Sequence, residues 1–194
     1  DEDLSTLSPQ FSNNNLNATN SYEMWLDEGD LDGLPDMAIE AAKMAAKSKG
    51  KDDKWLITLQ FPSYFPFMKF SNRRDLREEL MKASVTKCNG GEFDNRILCK
   101  KIAKLKHERA MLLGYDNYAD YVLEKRMAEN QKNIYNLLDS LYDACYEPAK
   151  KDLDEVREIA RELDGIDDLM PWDTVYYSEK LKLKKYDFNE DSLR

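Results

Sequence analysis

The stretch GEFDNRILCKKIAKLKHERAMLLGYDNYADYVLEKRMA, residues Gly91 to Ala128, decides the fold class. Ile97, Leu98, Ile102, Leu105, Ala110, Leu112 and Leu113 recur at the spacing of an apolar helical stripe. Asp94 offers a carboxylate to the free amides of the first turn, and Gly114 ends the run. Asn117 then caps a second, short helix through Tyr118, Tyr121, Val122 and Leu123.

Working outward, the same grammar repeats. Asn130 starts a long helix carrying Ile134, Leu137, Leu138, Leu141, Ala144 and Cys145, and Leu153, Val156, Ile159, Ala160 and Leu163 continue the stripe to Gly165. Pro148 predicts a kink, because its ring displaces a backbone hydrogen bond. A last helix opens near Pro171 with Trp172, Val175, Tyr176 and Leu181, and Asn189 before Glu190 and Asp191 reads as a further N-cap. On the N-terminal side, Arg73 to about Lys87 places Leu76, Leu80 and Ala83 on one face. Ser8-Pro9 reads as a helix start, with Phe11, Ala18, Tyr22 and Trp25 along one side and the polar run Ser12 to Asn15 interrupting it. Asp30 to Gly33 is a turn, and Pro35 opens a helix through Met37, Ala38, Ala41, Ala42 and Ala45 that Gly50 ends. Trp55 to Leu59 is the one strand candidate. A lone strand leaves its backbone groups unpaired, so its partner is expected from an irregular segment or from outside this chain. The fold expected is mainly α, a multi-helical arrangement with one short strand region and no solenoid repeat.

Composition narrows the function classes. The 194 residues carry 38 acidic and 29 basic side chains, a net charge of −9, which opposes the basic footprint of nucleic-acid binding. With 42% hydrophobic residues, wholesale disorder is excluded, and 7 glycines with 6 prolines favour helices over a turn-rich sandwich. The uncharged segment Trp55 to Met68 is broken by Pro62 and Pro66 and falls short of the ~20 apolar residues of a membrane span. The chain opens on Asp1, Glu2 and Asp3 with no secretory pattern and no initiating Met, so it is read as excised from a longer polypeptide. Cys88, Cys99 and Cys145 are odd in number and widely spaced, which reads as free thiols in the cytoplasm. Residues 1–194 are taken as a single helical region.

No constellation of catalytic chemistry survives inspection. His107 is the single histidine, so no His pair can grip a metal across a helical turn, and Cys88, Cys99 and Cys145 lack structural-zinc spacing around it. Glu28-Gly29-Asp30-Leu31-Asp32-Gly33 resembles the start of a calcium loop, but position 12 is Ile39, and an acidic turn ahead of Pro35 is the simpler reading. Phe61, Tyr64, Phe65, Phe67 and Phe70 read as core aromatics before they read as a ligand platform. Lys182, Lys184 and Lys185 form a solvated basic face, Gly90-Gly91 lacks the rest of a phosphate loop, and Asn17-Ala18-Thr19 is a short, uninformative acceptor pattern.

Taken as ordered blocks, the chain resembles one family. The blocks are FSNNNLNAT (Phe11 to Thr19), DEGDLDGLP (Asp27 to Pro35), WLITLQFPSYFPFMKF (Trp55 to Phe70), NRRDLREELMKA (Asn72 to Ala83), the Gly91 to Ala128 stretch and PWDTVYYSEKLKLKKYDF (Pro171 to Phe188). Together they are similar to the thimet oligopeptidase, oligopeptidase A and bacterial peptidyl-dipeptidase family of zinc metallopeptidases. LLGYDNYADYVLEKRMA and WDTVYYSEKL point to the peptidyl-dipeptidase branch. The resemblance implies a neurolysin-like helical fold whose two lobes flank a channel that admits short peptides. It also implies zinc held by a His-Glu-x-x-His helix and a later Glu, with the motif's Glu as general base on metal-bound water. No such motif occurs here, so no catalytic or metal residue is assigned to this chain and zinc is expected only in the parent enzyme. The expected role is therefore a lobe and channel-wall piece, not catalytic alone. The alternative is a non-catalytic helical peptide-binding or adaptor module of the same ancestry. A piece cut from a larger fold is also expected to self-associate through surface that was core.

Overall fold

The computed structural model describes residues 2–186. Among these, eight α-helices and two short strands follow one another: α1 (Glu2–Ser21), β1 (Met24–Leu26), α2 (Asp36–Ser48), β2 (Trp55–Ile57), α3 (Phe61–Phe70), α4 (Arg74–Val85), α5 (Arg96–Leu112), α6 (Tyr118–Leu123), α7 (Gln131–Asp164) and α8 (Pro171–Tyr186). The mainly α expectation holds. The chain groups into two compact units, one of residues 1–17 and 88–151 and the other of residues 18–87 and 152–194.

The first unit is tied by a buried asparagine. Asn95, 3% exposed, accepts from Asn14 Nδ2 through its Oδ1 at 2.9 Å and donates through its Nδ2 to the Phe11 carbonyl at 3.0 Å. A buried amide with both ends satisfied fixes the register of α1 against the start of α5. The polar run Ser12 to Asn15, which reads as a weakness in the helix, thus supplies a hydrogen-bond partner. α1 begins at Glu2, six residues before the expected start at Ser8, and Pro9 lies inside it. Glu2 and Asp3 in its first turn complement the helix dipole. The cap at Asn117 is confirmed by Asp120 N donating to Asn117 Oδ1 at 3.0 Å, and the one at Asn130 by Asn133 N donating to Asn130 Oδ1 at 3.0 Å.

The second unit holds the main core. Met24, Leu26, Leu34, Ala42, Ile57, Leu59, Phe67, Met68 and Leu80 pack together, with Tyr64, Phe70 and Trp172 against them. β2 is shorter than the expected Trp55 to Leu59, and its partner lies within the chain. Met24, Trp25 and Leu26 pair antiparallel with Ile57, Leu56 and Trp55. The expectation of an external partner is therefore corrected, as is the reading that put Trp25 on a helical face. Two three-residue strands carry too weak an alternation to be seen, and their shared core selects the extended state. The proline-broken segment after them folds as α3, with Pro62 in its first turn where a missing N–H costs nothing.

α7 is one helix of 34 residues that runs through Pro148. Its apolar stripe is not equally covered along its length. Val156, Ile159 and Ala160 are buried, but Leu137, Leu138 and Leu141 are exposed, because no described residues cover that half. The N-cap expected at Asn189 lies outside the described residues.

The turn ahead of α2 is held by contacts to the start of α4. Asn72 N donates to the Asp32 carbonyl at 3.0 Å, and Asn72 Nδ2 donates to Asp32 Oδ2 at 2.9 Å. Gly33 sits beneath them at φ +85°, where an added Cβ would meet the Phe70 carbonyl oxygen at 2.4 Å. Gly33→Ala should therefore lower unfolding free energy by about 2–4 kcal/mol, combining a disallowed backbone with a steric clash. Urea titration checks this, with Gly50→Ala, which meets no atom within 4 Å, as the milder comparison at the same sign of φ.

Candidate functional site

The densest polar constellation of the second unit is built by two of the sequence blocks quoted above. NRRDLREELMKA sets Arg74 and Arg77 three residues apart on α4, and PWDTVYYSEKL sets Asp173, Tyr176, Tyr177 and Lys180 at i, i+3, i+4 and i+7 on α8. Asp173 is fully buried and Arg77 is 1% exposed. Arg77 Nη2 donates to Asp173 Oδ1 at 3.1 Å, and Arg74 donates to the same carboxylate through Nε at 3.0 Å and Nη2 at 2.7 Å. The rest of the Arg77 fork goes to the Ser71 carbonyl at 2.6 Å and the Trp172 carbonyl at 3.2 Å. Met170 N donates to Asp173 Oδ2 at 3.1 Å, so the carboxylate also caps the start of α8. Burial pushes the Asp173 carboxyl upward, but the hydrogen bonds from Arg74, Met170 and Arg77 outweigh it and hold the group below the usual carboxylate range.

Beside this node lies a cleft of about 570 Å³ lined by Asn72, Arg74, Tyr176, Tyr177, Asp164 and Lys180. Its hydroxyls are already committed. Tyr176 donates to Asn72 Oδ1 at 2.7 Å, and Tyr177 donates to Asp164 Oδ2 at 2.7 Å. Burial, with the Asp164 carboxylate, raises the Tyr177 hydroxyl well above the ordinary phenol range. The Tyr176 ring has two cations against it, Arg77 at 4.0 Å and Lys180 at 4.8 Å from its centroid. Such an arrangement orients and holds. It sets no nucleophile against a general base.

The candidates read from sequence are dispersed. His107, Cys99 and Cys145 are exposed and Cys88 is half-buried. Among the described residues no group of three or more His, Cys, Asp or Glu side chains is placed to hold a metal ion. Within the acidic turn Asp30 pairs with Arg73 and Asp32 accepts from Asn72, and just ahead of it Asp27 pairs with Lys54. Of the aromatic run, Phe67 is core and Tyr64 and Phe70 pack on it, but Phe61 and Phe65 stack on each other in the open. Lys184 and Lys185 pair across to Glu162 and Glu155, each at 2.5 Å, and Lys182 stands 4.0 Å from Glu179. Sequence reading passed over Arg74, Arg77 and Asp173. Arg77 lies three residues before Leu80, close to the apolar face of α4, and a charge in that position is the one signal that could have found the node.

A family model for peptidase family M3 matches residues 67–194, which takes in every residue of this node. Oligopeptidase A of Escherichia coli (strain K12) is 39% identical over 98% of this chain and 29% of its own length. The probable cytosolic oligopeptidase A of Arabidopsis thaliana is 37% identical over 100% of the chain and 29% of its length. The dipeptidyl carboxypeptidase of Escherichia coli (strain K12) is 27% identical over 99% of the chain and 28% of its length. The chain thus spans less than a third of the curated relatives it matches. Identity runs higher toward oligopeptidase A than toward the dipeptidyl carboxypeptidase, so the branch suggested by LLGYDNYADYVLEKRMA and WDTVYYSEKL gives way to the oligopeptidase A side.

Removing the Asp173 charge should leave Arg77 buried and uncompensated. Asp173→Asn is expected to cost about 3–5 kcal/mol in urea unfolding. The sign with pH follows from the lowered carboxyl. Its stabilisation is present above the unfolded Asp value of about 3.9 and is lost as pH falls toward the folded value, so the gap between parent and variant should narrow below about pH 4.

Proposed function

The chain belongs to peptidase family M3, and from that premise we propose that it is a lobe and channel-wall portion of a zinc-dependent oligopeptidase. The carrying observation is the asymmetry of coverage: 98% of this chain aligns with oligopeptidase A, yet that is 29% of the relative. The residues in hand offer no zinc ligand set among those described, and no His-Glu-x-x-His occurs in the sequence. Zinc, and the water it activates, would come from the remaining polypeptide. Residues 1–194 then act as one structural region of a larger peptidase domain.

The substrate class follows from the relatives, whose names describe them as oligopeptidases and a dipeptidyl carboxypeptidase: short peptides. This chain's contribution is positional. The Arg74–Arg77–Asp173 node locks α4 to α8, and the tethered hydroxyls of Tyr176 and Tyr177 stiffen the cleft beside it. No described helix is long and apolar enough to cross a membrane. One relative is named as cytosolic and another as organellar, and we place this protein in the cytoplasm with the first.

The test is metal analysis and a quenched-fluorescence peptide assay on the purified 194-residue chain, beside a reading of its gene past Arg194. The expected result is zinc far below one per chain, no cleavage of short peptides, and a His-Glu-x-x-His segment downstream. Stoichiometric zinc with hydrolysis would overturn the reading, and a stop codon after Arg194 would favour the peptide-binding module.

A further inference from the structure

Asn89-Gly90 is the single Asn-Gly pair in the chain. A side-chain amide in that position stands one residue from a backbone nitrogen that no Cβ shields. The fold does nothing to keep the two apart. Asn89 is exposed, in the bend between α4 and α5, and its side chain has no hydrogen-bond partner among the described residues. Gly90 sits at φ +119°, and the nearest atom to a Cβ built there is Arg96 Nη2 at 3.8 Å, so the space beside it is open. Among the described residues Gly90 N donates to no backbone carbonyl, and the acceptor it faces is the Asp94 carboxylate. Asp94 is itself committed to Arg96, through Nε at 2.9 Å and Nη2 at 2.6 Å, and Arg96 bears on it more than Gly90 does. The nitrogen after Asn89 is therefore lightly held. Asn17, by contrast, precedes Ala18 inside α1, where the helical ladder commits the next nitrogen and a Cβ crowds it.

We propose that Asn89 is a deamidation site, modified without an enzyme through a cyclic imide with Gly90, and that its isoaspartate product opens the loop that follows. The Gly90 nitrogen attacks Asn89 Cγ. The N–Cγ bond forms, Nδ2 leaves as ammonia with the proton given up by the Gly90 nitrogen, and a five-membered succinimide closes. Water then opens the ring. Addition at Cγ breaks the new N–Cγ bond and leaves aspartate. Addition at the main-chain carbonyl carbon breaks the original peptide bond and leaves isoaspartate, whose main chain runs through Cβ and Cγ. The balance is one water taken up and one ammonia released, with no oxidant or reductant.

The two products act differently on the fold. Asn95 N donates to the Cys88 carbonyl at 2.9 Å, so one hydrogen bond closes residues 88–95, and Asn95 is the buried amide that ties α1. Isoaspartate lengthens the path by one carbon, about 1.5 Å, more than that bond can take up and remain a hydrogen bond. Aspartate adds a charge and leaves the path unchanged.

The test incubates the 194-residue chain at mildly alkaline pH and maps it by peptide mass spectrometry, with the two products separated by chromatography. The expected result is a gain of one mass unit at Asn89 at least about tenfold faster than at Asn17, split between aspartate and isoaspartate. Asn89→Gln, which would have to close a larger ring, should stay unmodified at that position. In hydrogen exchange the Asn95 amide should lose about tenfold or more of its protection in the isoaspartate form and keep it in Asn89→Asp, which carries the charge alone. Conversion at Asn89 no faster than at Asn17, or Asn89→Gln converting at the parent's rate, would overturn the site. Asn95 protection equal in the isoaspartate form and the parent, or lost equally in Asn89→Asp, would overturn the opening of the loop.

Discussion

A buried carboxylate cannot stay ionised without donors around it, and Asp173 is the point on which the second unit turns. It is enclosed by two guanidinium groups from α4 and by the backbone amide of Met170, so one side chain joins helices almost 100 residues apart in sequence and starts one of them. Arg77, with three donors fixed on Ser71, Trp172 and Asp173, is the complement. A buried ion pair of this kind adds little to net stability compared with an apolar replacement, but it admits one geometry. That geometry sets Tyr176 against Asn72, and Asn72 in turn holds the acidic turn through Asp32. The path from α8 through α4 to the turn ahead of α2 is continuous hydrogen bonding.

The same economy explains why residues that look like chemistry are not used as chemistry. Of the carboxylates arranged like the opening of a calcium loop, Asp30 is paired to Arg73 and Asp32 accepts from Asn72, and the basic residues late in α8 are matched to acids on α7. Exposed pairs of this sort contribute a few tenths of a kcal/mol and are screened by salt.

Most helices were legible because caps and periodicity agree. Asn117, Asn130, Pro35 and Pro171 all mark starts that the structure confirms within a residue or two. The failures have physical causes. Pro9 looked like a helix start because proline suits a first turn, yet a turn of acids ahead of it extends α1 to Glu2. Trp25 looked helical because a three-residue strand has no periodicity of its own; pairing with Trp55–Ile57 across nearly thirty residues decided its state. The Arg–Asp node was invisible because ion pairing between distant helices leaves no local pattern.

By itself the sequence determined the helical class, most helix boundaries, the family and the lack of a metal-binding motif, since these depend on local spacing and on ordered blocks that survive in isolation. Only the tertiary structure decided which half of α7 is core. The stripe from Ile134 to Leu163 is uniformly apolar at helical spacing, and amphipathicity states that a face can be buried without stating that anything is there to bury it. It also decided that Arg77 and Asp173 belong inside. A charge enters a core when a partner of opposite sign arrives from elsewhere in the chain, and that meeting is a property of three dimensions.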